Sequence, residues 1–454
     1  MGRDPHRWGR HAAVALLAAA AGWPLAAFAS DTDVTPLDAD DVAQRTDQWL
    51  APYVAAHDFS GVVLIAQGDR VLVEKAYGDA DFGHQTPNSI DTRFRIASLS
   101  KSFTAAGIEM LAKQGKLSFK DHLSRYITGI PNGRIITIAE LLTHTSGVGV
   151  LDSPDVIRHC LSDAELLRRM RKNPPLFKPG ERSEYSNEGY FLLGMIIQKV
   201  SGQSYDRFMQ QRIFQSLRLQ NIGTACQEIP PGDDALGYMP GAAGGVQRMA
   251  FDEAMQSGPG SIYSDAHDVY RWVAAVDTDP RFQNTSYEAP YGWYKRNYSG
   301  HAFMEASGIA EGFGSHMMLY PDGHIYAVVL SNVQSGFLDR ISHDLDTLLF
   351  GGDVSLPPDA KPVPVEAEAL QAYVGSYKNE SDHDPLNLTV QDGVLYMHWG
   401  HDPLLRILTP TGGDEFYFRS EYATVRFERD ATGHVTRTIW QWAQGGHLLI
   451  LTRQ

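Results

Sequence analysis

From residue 61 onward, the apolar and polar positions divide the chain into recognisable elements. Gly61 to Ala66 is an unbroken apolar run of strand length. Gln67-Gly68-Asp69-Arg70 has turn chemistry, and Val71 to Tyr77 reads as a second strand. Together they predict a β-hairpin. The preceding residues, 30 to about 48, are polar with scattered Asp and predict a loose lead. A helical period then takes over at Ser100 to Leu111, where Phe103, Ile108 and Leu111 are spaced by alanines. Further helices are predicted at Thr137 to Leu142 (from a Thr cap), Asp163 to Met170, Tyr190 to Val200 (stopped by Ser201-Gly202), Tyr205 to Ser216, and Ser264 to Val276. Pro230 to Gly245 is rich in Gly and Pro and reads as a loop. His316 to Tyr320 and Ile325 to Leu330 form a second hairpin across Pro321-Asp322-Gly323-His324. Strands, then helices, then strands again suit an α/β sandwich whose sheet draws on both ends of the region.

The pattern changes after residue 352. Leu356 to Pro364 carries four prolines and predicts a linker, bounded here as 353–365. Beyond it, over 366–454, short strands recur at near-regular spacing: Leu386–Val390, Val394–Trp399, Phe416–Arg419, Thr424–Arg429, Val435–Trp440 and Leu448–Leu451. This predicts a small all-β module, a barrel.

Composition narrows the function classes. At 454 residues, 43% hydrophobic and 20% charged, the chain has the make-up of a folded protein of two to three domains. Its net charge of -15 argues against a nucleic-acid partner. Arg3, Arg7 and Arg10, an Ala/Leu-rich stretch from Ala12 to about Ala21, and Ala27-Phe28-Ala29 before Ser30 predict a signal peptide over 1–29 and an exported, periplasmic or secreted protein. The alternative is an uncleaved anchor; no later run is long enough for a membrane span. Cys160 and Cys226 are the only cysteines. An oxidising compartment permits a disulfide between them, and sequence alone leaves the pairing open. No metal or organic cofactor is implied, and the expected partner is a small-molecule or peptide substrate.

The candidate chemistry centres on Ser98-Leu99-Ser100-Lys101. A serine hydroxyl needs a base, and residues three apart on a helix share a face, so Lys101 reaches Ser98. Lys101 must be neutral part of the time to serve. The plain alternative is that Ser98 caps a helix. In Tyr185-Ser186-Asn187, a Tyr185 of lowered pKa could share the proton and Asn187 could bond a substrate amide or orient Lys101. Tyr377-Lys378-Asn379 repeats that pattern and reads as a decoy. His144, in Leu141 to Gly147, is either a base or a helix-end and loop anchor, the second reading being favoured.

Taken in order, Phe94 to Lys101, Leu141 to Gly147 and Lys178 to Asn187 with Gly189-Tyr190 resemble the serine β-lactamase and penicillin-binding-protein-like family, class C β-lactamases and related esterases among them. The resemblance covers about residues 45 to 350. It implies an α/β sandwich of the serine β-lactamase (DD-peptidase) type with an all-helical subdomain, over 30–352. It implies Ser98 as nucleophile, Lys101 and Tyr185 as the base system, Asn187 on the substrate, and the N–H groups of Ser98 and Ile309, after Gly308, as oxyanion donors. The chain departs from the family in Glu305 to Phe313, where Ala306 stands at the usual Lys or His. A missing cation weakens the case for carboxylate-bearing substrates, and Glu305 and Glu311 make the neighbourhood more acidic. Tyr373-Val374-Gly375-Ser376-Tyr377 resembles the opening of the lipocalin-like barrels appended to such hydrolases. The leading expectation is a serine hydrolase acting through an acyl-enzyme on an amide or ester; the alternative is a non-catalytic binder that keeps the fold. The oligomeric state is left open.

Overall fold

The computed structural model describes residues 36–151, 159–226, 229–230, 232–249, 257–282, 291–354, 360–379, 385–400, 404–442 and 448–454. The expected signal peptide over 1–29 lies outside them, as does part of the expected linker.

The loose lead is corrected from Ala39 on. Helix α1 runs over Ala39–Ala55, capped by Asp38, whose side chain accepts the N–H groups of Asp40 and Asp41. Val42, Thr46, Trp49, Leu50 and Tyr53 share its buried face. That stripe was obscured by the acidic residues around it, by a polar residue at Thr46, and by Pro52, which the helix accommodates in its last turn.

The apolar run after α1 forms β1 (Gly61–Gln67), paired with β2 (Arg70–Tyr77). The helical stretch of the chain supplies α2 (Ser100–Lys113), α3 (Ile138–Leu142), α4 (Asp163–Met170), α5 (Asn187–Ser201), α6 (Tyr205–Met209) and α7 (Ala266–Thr278). Local chemistry explains their ends. Thr137 and Glu140 form a reciprocal capping box on α3. Ser162, Ser186, Ser204 and Asp265 cap α4 to α7. Gly202, at φ +72, closes α5 in the left-handed conformation. The helix expected over 205–216 is α-helical only to Met209 and continues as a π turn and a tight 3-10 turn to Leu217. The loop expected over 230–245 contains a strand, Tyr238–Pro240, paired with Val246–Arg248; Gly241 and Gly245 close the tight turn between them.

Four strands complete the sheet: β3 (Tyr294–Tyr298), β4 (His301–Ala310), β5 (Phe313–Tyr320) and β6 (Ile325–Ser331). The order is β3-β4-β5-β6-β1-β2, antiparallel throughout, with Gly61 opposite Ser331. Strand alternation sorts side chains into two cores. Val62, Leu64, Val328 and Leu330 pack toward α2, α5 and α7. Val63, Ile65, Ala327 and Val329 pack toward α1 and α8 (Ile341–Leu349). Among the described residues, no helix is long and apolar enough to cross a membrane.

The C-terminal strands close into an eight-stranded barrel with neighbours in chain order. They are β7 (Gly375–Lys378), β8 (Leu386–Gln391), β9 (Val394–Trp399), β10 (Arg406–Gly412), β11 (Glu415–Phe418), β12 (Ala423–Arg429), β13 (Val435–Trp442) and β14 (Leu448–Arg453). Leu388, Met397, Phe416, Val425, Phe427 and Trp440 are among the residues that fill the interior. β7 and β10 were not expected as strands. In β10, Pro410 interrupts the alternation at a register shift against β11.

Cys160 and Cys226 form a disulfide, with Cα atoms 5.9 Å apart. It ties together segments separated by 66 residues. Closing a loop of that length stabilises a fold by roughly 2–4 kcal/mol. Replacing both cysteines with serine should therefore lower the unfolding free energy by about that amount in denaturant titrations; an unchanged midpoint would show that the bridge carries no stability.

Candidate active site

The chain turns sharply between Phe94–Arg95, which pairs with Ile262–Ser264, and the start of α2. Ala97 lies at φ +45, and Ala97–Leu99 form a tight 3-10 turn. Ser98 sits in this turn and is half-buried. It does not cap α2: its side chain is directed instead at Tyr185 and Lys101. The turn is held by Ser100, whose hydroxyl accepts the Ile262 N–H at 3.1 Å.

Ser98 Oγ shares a hydrogen bond of 2.6 Å with Tyr185 Oη and lies 3.0 Å from Lys101 Nζ. Lys101 is 3% exposed. Its amine also donates to Asn187 Oδ1 at 2.8 Å and to the Pro259 carbonyl at 3.2 Å. An ammonium has three protons for these three acceptors. A neutral amine has two, so with Asn187 and Pro259 satisfied its lone pair faces Ser98. Burial lowers the Lys101 pKa to about 7, against a smaller upward pull from Glu188. Near neutral pH both forms are populated.

Tyr185 departs from expectation. Burial pushes its phenol up, not down, with the Ser98 hydrogen bond only partly opposing that. Tyr185 is therefore a protonated phenol at neutral pH. Tyr185 precedes α5, and Asn187 is the first residue of that helix. The Ser186 hydroxyl accepts the Gly189 N–H at 3.0 Å, which sets the direction of Tyr185 and Asn187 on either side.

His144 acts as an anchor. Its Nδ1 accepts the Ser186 N–H at 3.1 Å, and its ring lies against Tyr185 and Tyr190, with centroids 4.8 and 5.2 Å away. Burial, then the charge of Lys101, holds it down at about 3, so it is neutral. The decoy Tyr377 lies in the barrel interior and donates to the Tyr373 carbonyl.

On the other side of Ser98 runs β4. An added Cβ at Gly308 would lie 2.8 Å from Ser98 N and 2.4 Å from the Ile96 carbonyl, so only glycine allows this approach. Ser315, opposite Gly308, donates to the same Ile96 carbonyl at 2.8 Å. Ile309 follows, paired with Gly314. Ala306 is buried on the helix-facing side and presents a methyl group at the position where the family resemblance implies a cation.

Glu305 points to the opposite face. It meets Arg296 at 2.7 Å, Ser342 at 2.5 Å and His316 at 3.3 Å. Burial alone would raise its pKa; these partners hold it at about 2. Its charge is compensated on that face and does not make the site acidic. Ser342, His316 and Glu305 are not arranged as a nucleophile triad, because serine and carboxylate meet the same His316 nitrogen.

Two contributors were not foreseen. The Pro259 carbonyl comes from a Gly-Pro-Gly turn, where Gly258, at φ +108, lies so close to the Tyr190 carbonyl that a Cβ would stand 2.3 Å from it. The turn was visible as Gly and Pro, but its docking on α2 was not. Glu188 accepts the Leu151 N–H at 2.8 Å and the Ser186 hydroxyl at 3.2 Å, and is the anion that tempers Lys101.

The chain is similar to known proteins over most of its length. A family model described as Beta-lactamase matches residues 46–349, and one described as Domain of unknown function (DUF3471) matches 359–450. Penicillin-binding protein 4* of Bacillus subtilis (strain 168) is 27% identical over 416 residues, 82% of this chain and 90% of its own length. The penicillin binding protein from Bacillus halodurans superposes with a TM-score of 0.58 at 26% identity, covering 68% of this chain and 98% of that one. The octameric penicillin-binding protein homologue from Pyrococcus abyssi, at 21% identity and a TM-score of 0.61, covers 91% of this chain and 100% of its own, and shares the fold. The first family model spans more than half of the sequence, and the chain belongs to the Beta-lactamase family.

Proposed function

We propose that this protein is an exported serine hydrolase that cleaves an amide or ester through an acyl-enzyme on Ser98. The observation that carries the reading is the contact of Ser98 Oγ with both Lys101 Nζ and Tyr185 Oη. Neutral Lys101 accepts the Ser98 proton as Oγ attacks the carbonyl carbon. The tetrahedral oxyanion is held by the N–H groups of Ser98 and Ile309. Tyr185 passes a proton to the leaving group and is reprotonated from Lys101. Water then attacks the acyl carbonyl by the same route reversed, releasing the acid and Ser98. Asn187 orients Lys101 and faces the substrate. The Cys160–Cys226 bridge suits an oxidising compartment.

Ala306 directs the substrate class toward esters and peptides that need no cation for a carboxylate, away from most β-lactams. It is also the feature favouring the second reading, a binding protein that keeps the fold without turnover.

Intact-mass analysis after exposure to a fluorophosphonate separates the two. One adduct on Ser98, absent from Ser98→Ala, is the expected result; no adduct on folded wild-type protein would remove the hydrolase reading. The pH dependence follows from Lys101. Its pKa is depressed, so the reactive neutral form is lost as pH falls. Phosphonylation should rise through a midpoint near 7, and Lys101→Met should slow it by ~10²–10⁴. A flat profile between pH 5 and 9 would exclude Lys101 as the base. Neutral p-nitrophenyl esters should exceed their carboxylate-bearing counterparts in kcat/KM by roughly tenfold or more, the equivalent of one missing charge pair; equal values would show that a cation from elsewhere serves.

A further inference from the structure

The turn between β11 and β12, residues 419–422, leaves the barrel and enters the hydrolase domain. Arg419 Nε meets Asp58 Oδ1 at 2.5 Å, and Tyr422 Oη donates to Asp58 Oδ2 at 3.0 Å. The remaining guanidinium nitrogens of Arg419 donate to the carbonyls of Ala56 and, at 2.9 Å, Gly245. Asp58 is 4% exposed, and both of its oxygens are bonded by the barrel. The Tyr422 ring stacks beside Tyr53 and Tyr417, with centroids 6.4 and 6.1 Å away.

The contact continues inward. The Arg419 carbonyl accepts the Gly336 N–H at 3.1 Å. A Cβ at Gly336 would lie 2.6 Å from Tyr422 Cγ, so backbone and ring are in direct contact. Ser335 donates to the Asp58 carbonyl at 2.6 Å. Three residues after Ser335, Leu338 covers Gly314 so closely that a Cβ there would be 2.3 Å from either of its methyls. Gln334 Oε1 accepts the Gly312 N–H at 3.2 Å. Gly312 and Gly314 belong to the β4–β5 hairpin, and Gly314 is the partner of Ile309. The neighbouring pair, Gly308 with Ser315, abuts the Ser98 turn.

We propose that Arg419 and Tyr422 of the barrel are positioning residues for the acyl-transfer site. Seated on Asp58, they hold the 334–338 loop against the β4–β5 hairpin and thereby set the Ile309 N–H relative to Ser98. This rests on the serine-hydrolase reading above. The path runs through side chains packed directly on glycine backbone, at Gly336, Gly312 and Gly314, where close packing leaves little room to absorb a shift. A displacement of the loop passes to the hairpin, and misplacing a catalytic donor by about 1 Å costs up to ~10²-fold in rate.

The test uses the full chain and the rate of Ser98 phosphonylation, with kcat and KM on a neutral ester. Arg419→Ala and Leu338→Ala should each lower the phosphonylation rate and kcat by about tenfold or more with KM changed by less than about twofold, the signature of an interaction made in the transition state. Leu338→Met should restore the rate, since it keeps the volume over Gly314. Arg429→Ala, at the far end of β12, should leave it unchanged. Tyr422→Phe removes only the hydroxyl bond to Asp58 and should lower the rate in the same direction, which keeps the barrel contact testable should Arg419→Ala not fold. Leu338 is half-buried, and Leu338→Ala tests the grip of the loop on Gly314 with the barrel contact intact. Wild-type rates in folded Arg419→Ala and Tyr422→Phe, or in folded Leu338→Ala, would overturn this proposal alone. Absence of labelling in the wild type would overturn the hydrolase reading with it.

Discussion

Burying the amine of Lys101 is the constraint around which the site is organised. Taking an ammonium out of water is costly, and burial lowers the pKa of the group to about 7, so that the neutral amine is populated alongside the ammonium near neutral pH. Asn187 and the Pro259 carbonyl hold the amine without supplying a charge to fix it as a cation. Glu188 stands back far enough to temper the shift without cancelling it. The result is a lysine aimed at Ser98 with a lone pair available. The surrounding pieces are arranged to keep water and counter-charge away from this one nitrogen. The Tyr190 and Tyr185 rings lie over it at 5.7 and 4.7 Å, and neutral His144 stacks behind Tyr185.

That arrangement requires several segments to approach one another at backbone distance. Glycine makes this possible on two sides of Lys101. Gly308 brings β4 onto Ser98, and Gly292 brings the start of β3 onto Ser102, where a Cβ would be 2.7 Å from its Cα. A side chain at either position would wedge sheet from helix. The strained conformation of Ala97 belongs to the same set of features. It turns the chain so that Ser98 faces the site while α2 begins immediately after, placing Lys101 within reach.

The barrel adds a second buried electrostatic unit. Asp58, Arg419 and Tyr422 satisfy one another across the boundary between the two parts of the chain. A carboxylate enclosed this fully is tolerable only with its partners in place. The barrel is therefore coupled to the hydrolase domain by more than the linker. On the outer face of the sheet, Glu305 with Arg296, His316 and Ser342 does comparable work: it keeps a charge next to the site in sequence but on the other side of the sheet in space.

Much of this was legible in the residues. The central hairpins, the capped helices and most barrel strands follow from local periodicity and turn chemistry, because those signals are written within a few residues. The Ser98–Lys101 spacing also falls within a single turn. α1 was missed because its apolar stripe is diluted by polar residues and ends in a proline, and β10 because Pro410 breaks the alternation. The sign of the Tyr185 shift was inverted for a different reason. A lowered pKa was inferred from the role, whereas enclosure by protein, which no local pattern encodes, raises it. The same holds for Glu305: adjacency to Ala306 suggested an acidic site, but strand alternation sends the two side chains to opposite faces. The sequence by itself determined which elements form and which residue types were available for the chemistry. Only the tertiary structure decided the charge state of Lys101, the partner of Asp58, the pairing of Cys160 with Cys226 and the closeness of Gly308 to Ser98, because each depends on how much water and which distant atoms surround a group once the chain has folded.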